Sequence, residues 1–232
     1  MDQRNERFLR QLDIVPPERL AFPVTVIGAG AIGSATVLTL AKMGCSTITV
    51  WDDDVLAEHN VPNQICRPSA VGRPKVEALA DLVRDLTEVR IGARNARYRG
   101  QRLEGVVIAA TDNMDSRQTV WRRVRIDVGV PLLIDARMGA EFGRIYAVRP
   151  CDPEDVDFYE SNLYPSSDAE RLPCSARSII YCPTVIAGLI ALILKRFAIG
   201  ERFTSEVLVS LSELLLLSQT PTSVCSGLPS QS

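Results

Sequence analysis

Short runs of apolar residues alternate with stretches of helical apolar spacing, an order typical of α/β proteins. The first run, Val24 to Ile27, precedes a helical pattern over Ala31 to Met43 and a second apolar run, Thr47 to Trp51. Further strands are predicted at 89–93, 105–110, 130–136 and 143–148, and further helices at 72–86 and 114–128. The connection at Gly139 to Phe142 is too short for a crossover, so we expect the strands at 130–136 and 143–148 to pair antiparallel.

This order predicts a Rossmann-like, doubly wound α/β fold with a mostly parallel sheet and antiparallel C-terminal strands. One or two strands at 206–217 are expected to complete the sheet. We predict a single domain over residues 1–217, followed by a flexible polar tail at 218–232.

Three segments depart from the alternating pattern. A short polar helix is predicted over 2–14. Residues 149–177 are rich in proline, acidic residues and serine, and we expect a surface crossover or lid there. The apolar stretch 178–197 reaches only the lower limit for a membrane span and contains Pro183, so we predict a helix buried in the core.

Composition and charge narrow the functional classes. The chain has 232 residues, 46% of them hydrophobic, and a formal net charge of −2. Nothing in this balance favours a nucleic-acid or membrane partner. The N-terminus is polar and has no secretory apolar region, so we expect a cytoplasmic protein with reduced cysteines.

A glycine-rich turn joins the first predicted strand to the first predicted helix. Gly28, Gly30 and Gly33 have the G-x-G-x-x-G spacing, and Asp52 ends the next strand. Gly28 would permit a tight turn, Gly30 the approach of a phosphate, and Gly33 close packing of helix and strand. Asp52 would accept hydrogen bonds from ribose hydroxyls. This pattern predicts a nucleotide site, the alternative being a decayed scaffold that binds nothing.

Several motifs in register make the sequence resemble the ThiF/MoeB/HesA family of adenylation proteins, which are related to ubiquitin-activating enzymes. The motifs are R-F-L-R-Q, V-I-G-A-G-A-I-G-S, D-D-D-V-L-A-E-H-N-V-P-N-Q, V-G-R-P-K, A-T-D-N-M-D-S-R and C-S-A-R. Such proteins use ATP and magnesium to adenylate the C-terminal glycine of a ubiquitin-like or sulfur-carrier protein. The resemblance implies a homodimer or a pseudo-symmetric heterodimer, and a conjugating-enzyme-like protein as a further candidate partner.

The resemblance also implies the site residues. Asp112 would hold the magnesium ion, Lys75 would contact the phosphates, and Arg10 would reach the γ-phosphate in the dimer partner. Cofactor-binding positions are implied at Gly28, Gly30, Ala31, Gly33, Asp52, Asp54, Asn60, Gln64, Lys75, Asn113 and Arg117. Alternatives remain for three of these residues: Lys75 as a solvated helix residue, Asp112 as a helix cap, and Arg117 in a surface pair with Asp115.

Two departures from the family pattern affect these expectations. Asn63 stands where relatives have an arginine that clamps the ATP phosphates, which raises the alternative of a weak or inactive subunit acting as a binding partner. Arg67 or Arg73 could take that role. Relatives bind zinc through two C-x-x-C pairs, whereas Cys151 and Cys225 are single, so no structural zinc is expected.

Two cysteines near the apolar stretch bear on acyl transfer. Cys174, in P-C-S-A-R, matches a cysteine that forms an acyl linkage in some relatives, the alternative being a free surface cysteine. Cys182 is predicted to be a core residue.

An NAD-dependent oxidoreductase is a third hypothesis, but the chain has one histidine, His59, in a loop, and the G-R-P-K and T-D-N motifs would have no role in it.

Overall fold

The computed structural model describes residues 6–164 and 179–219. Within these residues the sheet has eight strands in the spatial order β3-β2-β1-β4-β5-β6-β7-β8. The strands are β1 Val24–Ile27, β2 Ile48–Trp51, β3 Gly92–Arg94, β4 Val106–Ala109, β5 Leu132–Gly139, β6 Phe142–Val148, β7 Glu206–Ser210 and β8 Leu215–Gln219. The first five pair in parallel and the last three antiparallel, which confirms the predicted sheet.

Helices cover both faces of the sheet. They are α1 Ala31–Met43, α2 Lys75–Thr87, α3 Met114–Val124, α4 Pro153–Glu160 and α5 Tyr181–Ala198. Side chains of α1, α2 and α5 enter one apolar core, whereas side chains of α3 and α4 enter a second core on the opposite face. The doubly wound arrangement follows directly, because each parallel crossover must bury its apolar stripe against one face or the other.

The order of the strands reverses between β1 and β4. The chain builds the sheet outward from β1 through β2 and β3, then returns to pair β4 with β1, where Val24 is in register with Val106. In open parallel sheets, ligands bind beyond the carboxyl ends of the strands at such a switch point. The glycine-rich turn after β1 and the T-D-N segment after β4 both lie at this place.

The segment after β6 contains a helix that the sequence analysis missed. Residues 153–160 form α4, which has Pro153 in its first turn and is capped by Asp152, whose side chain accepts a hydrogen bond from the backbone N–H of Glu154. The proline and acidic residues that indicated a loop are thus a helix start. Tyr159 of α4 is fully buried.

Two predicted helices differ at their ends. Of the helix expected over 2–14, residues 2–5 lie outside the described residues, residues 6–7 are helical, and a 3-10 helix, Leu9–Gln11, and turns follow. Helix α3 ends at Val124 rather than 128. The carboxylate of Asp127 accepts backbone hydrogen bonds from Leu103 and Gly129, and this turn replaces the last helical turn.

Helix α5 is the apolar segment, and by length and composition it is the one helix among the described residues that could cross a membrane. Its inner face, including Ile186, Ile190 and Leu194, is buried in the core. Tyr181 and Leu192 on its outer face are about 42–43% exposed, so the helix is not buried all round.

Strand β8 runs to Gln219, two residues into the predicted tail, and 220–232 lie outside the described residues.

Candidate active site

The glycine-rich turn has the backbone geometry that its spacing predicts. Gly28 has φ +102°, and a Cβ atom there would lie 2.5 Å from the carbonyl oxygen of Ala110. A Cβ on Gly33 would lie 1.9 Å from the carbonyl oxygen of Gly28, so α1 can approach β1 only with glycine at that position. A Cβ on Gly30 would meet nothing within 4 Å. Space for a ligand is therefore open above Gly30, at the N-terminus of α1.

A cleft of about 690 Å³ lies at the switch point. The predicted site residues that line it are Gly28, Gly30, Ala31, Asp52, Asp54, Gln64, Lys75, Asp112, Asn113 and Arg117. Gly33 acts through packing below it. Asn60 and Arg10 are not among its described lining residues, and Arg10 is exposed on the N-terminal segment. The cleft has two sides, which we name the β1–β2 side and the β4–β5 side after the strands that end there.

The β1–β2 side is shaped by Asp52. One carboxylate oxygen accepts a hydrogen bond from the backbone N–H of Ala29 at 2.6 Å and the other from that of Asp54 at 2.8 Å. Burial raises the pKa of Asp52 despite these two donors. The carboxylate thus fixes the glycine-rich turn against β2, and each of its oxygens has a further lone pair for a ligand hydroxyl.

Lys75 supplies a cation on the same side. It begins α2, its side chain is only 11% exposed, and its Nζ lies 2.6 Å from Oδ2 of Asp54. A lysine at a helix N-terminus is unfavourable for the helix dipole, so the pairing with Asp54 offsets part of that cost. The hypothesis of a solvated lysine does not fit this burial.

Asp112 and Asn113 divide two roles at the start of α3. The Asn113 side chain caps the helix by accepting a hydrogen bond from the backbone N–H of Ser116 at 2.9 Å, and its amide donates to Oδ1 of Asp112 at 2.7 Å. The helix cap is therefore Asn113 rather than Asp112. The exposed carboxylate of Asp112 faces the cleft with oxygen atoms available to a cation.

Arg117 points inward, not to the surface as one alternative had it. The residue is 6% exposed, and its guanidinium donates to the carboxylate of Asp135 and to the backbone carbonyl oxygens of Thr111 and Ala136. The contact with Thr111 fixes the backbone immediately before Asp112. Arg117 thus supports the floor of the β4–β5 side.

Asp135 is the centre of a buried polar cluster that the sequence analysis did not find. Asp135 is fully buried. Its Oδ2 accepts hydrogen bonds from a second guanidinium, that of Arg137, and from the hydroxyl of Tyr159. Burial raises the pKa of Tyr159 well above its usual value, and the adjacent Asp135 raises it further, so the phenol keeps its proton. The signal in the sequence was D-A-R at the end of an apolar strand, but its partners lie 18 and 24 residues away.

The loop after β2 does not supply the missing arginine. The side chains of Arg67 and Arg73 pair with Asp85 and Asp81 of α2 on the surface, at 2.6 and 2.8 Å, and neither residue is among those lining the cleft. Asn63 has a buried Oδ1 with no hydrogen-bond partner among the described residues. In this arrangement, therefore, neither Arg67 nor Arg73 takes the place of the family arginine.

The same loop also contains Asn60 and His59. The side chain of Asn60 accepts a hydrogen bond from the backbone N–H of Ala57 at 2.9 Å and shapes a 3-10 helix, Glu58–Asn60. His59 is exposed and is not among the described residues that line the cleft. In this conformation, His59 is therefore not positioned to act in a hydride-transfer mechanism.

The cysteines occupy different environments. Cys182 is buried in α5, which confirms the predicted core position. Cys45 is also buried, and burial raises its pKa to about 12, so its thiol is inert. Cys151 is free and exposed. Cys174 and Cys225 lie outside the described residues.

Known proteins match part of this sequence. The SAMP-activating enzyme E1 of Haloferax volcanii is 32% identical over an alignment of 142 residues that covers 55% of this chain and 52% of that protein. The sulfur carrier protein ThiS adenylyltransferase of Escherichia coli is 26% identical over an alignment of 165 residues that covers 68% of this chain and 64% of that protein. The aligned part thus spans about half to two thirds of these two relatives.

Solved structures share the fold at lower identity. The crystal structure of PaaA matches with a TM-score of 0.75 at 17% identity, covering 95% of this chain and 74% of that one. Escherichia coli MccB, solved with ATP, matches with a TM-score of 0.72 at 16% identity, covering 97% and 74%. The model of the ThiF family matches residues 19–223. The chain described here therefore belongs to the ThiF family.

Proposed function

We propose that this protein uses ATP and magnesium to adenylate the C-terminal glycine of a ubiquitin-like or sulfur-carrier protein. One observation carries the proposal: the cleft places the open N-terminus of α1, the cation of Lys75 and the carboxylate of Asp112 around one space of about 690 Å³. A helix N-terminus and a lysine bind phosphate, and an exposed carboxylate binds magnesium. The names of the relatives supply the class of substrate.

The residues on the β1–β2 side fit a nucleotide. No side chain of the described residues caps α1, so backbone N–H groups at its start can donate to phosphate oxygens above Gly30. Asp52 would accept hydrogen bonds from the ribose hydroxyls. These groups would place the α-phosphate over the switch point, between the two sides of the cleft.

The chemistry is the transfer of an adenylyl group to a carboxylate. An oxygen of the substrate carboxylate attacks the α-phosphorus, the bond from that phosphorus to the bridging oxygen of the β-phosphate breaks, and pyrophosphate leaves. Magnesium held by Asp112 would supply charge neutralisation on the phosphates. Lys75 would stabilise the charge that grows on pyrophosphate, and such fixed charges usually contribute the largest part of the rate enhancement.

Three finer features belong to the same proposal. Arg10, exposed and away from the cleft of its own chain, would act on the γ-phosphate in the partner of a dimer. Cys174 would receive the acyl group if transfer follows adenylation. The protein would act in the cytoplasm, together with a carrier and a conjugating-enzyme-like protein.

Exchange of radioactive pyrophosphate into ATP tests the proposal directly. We expect exchange that depends on a carrier protein ending in glycine and that falls at least about a hundredfold in Asp112→Ala. Asp115→Ala is the matched control, because Asp115 begins the same helix but does not line this cleft. Wild-type protein that shows no exchange with any of a panel of ThiS-like and ubiquitin-like carriers would contradict the enzymatic function.

A second candidate is a non-catalytic subunit with the same fold. Asn63 carries no charge, and the arginines next to it in the loop are paired with α2 on the surface. Loss of one charged group that stabilises the transition state commonly costs about a hundredfold in rate. The two candidates differ in one measurable property, because a subunit that only binds partners need not bind ATP.

A further inference from the structure

Arg137 occupies the β4–β5 side of the cleft, beside Met138 and Tyr164. Its side chain is 14% exposed, and its guanidinium carbon lies 4.5 Å from the centre of the Tyr146 ring. Its Nε donates to Oδ2 of Asp135 at 2.9 Å, and its Nη1 donates to the carbonyl oxygen of Asn162 at 3.0 Å. The guanidinium is therefore held rigidly at the edge of the cleft, so little side-chain entropy is lost when a ligand binds to it.

The charges around Arg137 do not balance. Among residues 6–164 and 179–219, Asp135 is the single carboxylate paired with the two guanidinium groups of Arg117 and Arg137. The neighbouring Arg144 is already neutralised by Glu206, at 3.0 Å. Two cations against one anion leave this cluster with a charge of +1. A poorly solvated net charge is costly unless an anion accompanies it, so the cluster favours an anionic ligand.

One group of Arg137 is also left without an acceptor. Its Nη2 lies 2.9 Å from Oδ2 of Asp135 but makes no hydrogen bond with proper geometry to any described residue. Nε and one N–H of Nη1 are occupied, which leaves a second N–H on Nη1 for a ligand. Because Nη2 is buried against Asp135, a carboxylate entering from the cleft would contact the exposed 14% of the side chain and supply the missing charge.

We propose that Arg137 forms a carboxylate-binding subsite that receives the C-terminal carboxylate of the substrate polypeptide before it reacts. This inference rests on the proposed function. The nucleotide would occupy the β1–β2 side, and the end of β5 lies two strands away from β1, across β4. The subsite faces the cleft beside Tyr164, the last described residue before the crossover segment.

The chemistry gives the subsite a defined role. A carboxylate is repelled by the triphosphate that it must attack, and a fixed guanidinium beside it offsets this repulsion. When the carboxylate oxygen bonds to phosphorus, its negative charge is lost and the contact with Arg137 weakens. Arg137 is thus a binding and positioning residue for the free acid. Its loss should raise KM for the carrier, with a smaller effect on kcat and none on ATP affinity.

Fluorescence anisotropy with paired peptides tests the subsite. The probe is a labelled peptide ending in Gly-Gly, made once as the free acid and once as the C-terminal amide, and titrated in the presence of a non-hydrolysable ATP analogue. We expect wild-type protein to prefer the acid by about 10–100-fold, the usual value of a charge-assisted hydrogen bond. Arg137→Gln should bind both peptides equally, and Arg137→Lys should restore part of the preference.

Arg125→Gln is the matched control, because Arg125 pairs with Glu160 at the surface and does not line the cleft. It should keep the preference of the wild type. A preference that survives in Arg137→Gln, or wild-type protein that binds ATP but not the acid peptide at about 1 mM, would overturn the subsite and leave the adenylation proposal standing. Absence of ATP binding would overturn both.

Discussion

The two sides of the cleft are built in different ways. On the β1–β2 side, the backbone forms the site: Gly28 has a positive φ, Gly33 has no room for a Cβ, and Asp52 fixes the turn through backbone N–H groups. On the β4–β5 side, side chains form the site, because two arginines share the buried Asp135. The first kind of site is a local motif, and the second exists only after the sheet has assembled.

This difference determines how each side should respond to mutation. A backbone turn fails when a side chain is added, since neighbouring backbone atoms cannot move aside. A buried ionic cluster fails when a side chain is removed, since the remaining charges lose their partner. Variants at Asp135, Gly33 and Tyr159 separate these two modes of failure, and the expected loss of stability decreases in that order.

The largest effect is expected from Asp135→Ala. Removing this carboxylate leaves the guanidinium groups of Arg117 and Arg137 without an anion, and we expect the free energy of unfolding to fall by about 3–5 kcal/mol. Urea denaturation followed by circular dichroism measures it. Asp157→Ala, an exposed change on α4, should stay within about 0.5 kcal/mol of the wild type. Equal behaviour of the two variants would show that the cluster is not a structural centre.

Gly33→Ala should have the next largest effect. Its new Cβ would lie 1.9 Å from the backbone oxygen of Gly28, so α1 must move away from β1 at a cost of about 3 kcal/mol. Gly30→Ala is the control, because the same methyl group would meet nothing within 4 Å and the residue has an ordinary φ of −74°. That variant should keep its stability and lose affinity for ATP. A stable Gly33→Ala would refute the close contact between helix and turn.

Tyr159→Phe should give a smaller loss. The change removes one hydrogen bond to Asp135, which keeps both of its arginine partners, so we expect the free energy of unfolding to fall by about 1 kcal/mol. Tyr98→Phe removes a hydrogen bond to the carbonyl oxygen of Gln101 and should cost about 0.5 kcal/mol. Should Tyr159→Phe match Asp135→Ala in the same urea titration, the hydroxyl rather than the charge would be the main contribution.

The same contrast explains what the sequence could predict. The G-x-G-x-x-G spacing and the apolar strands β1 and β4 are local signals, and the fold and the β1–β2 side followed from them. The D-A-R of β5 could not be interpreted locally, because its partners Arg117 and Tyr159 come from other segments of the chain. Helix α4 was missed for a related reason: Tyr159 packs against Trp121 of another helix, a contact that the short acidic segment does not indicate by itself.

The loop after β2 could be predicted only in part. The sequence identified Asn63 as the point of departure from the family, but it could not show where Arg67 and Arg73 would point. Their acidic partners, Asp85 and Asp81, lie on the outer turns of α2 and are chosen by the packing of that helix. The positive charge on the β1–β2 side therefore depends on Lys75, which the motif indicated as a phosphate contact and which lies next to Asp54 in the structure.

Isothermal titration calorimetry with ATP, with and without magnesium, tests the central claim most directly. We predict binding with an affinity between about 1 μM and 1 mM, strengthened by magnesium in the wild type but not in Asp112→Ala, and no binding of NAD at the same concentrations. Absence of ATP binding at about 1 mM would contradict the claim and favour a non-catalytic subunit. Tighter binding of NAD than of ATP would contradict it in favour of a hydride-transfer enzyme.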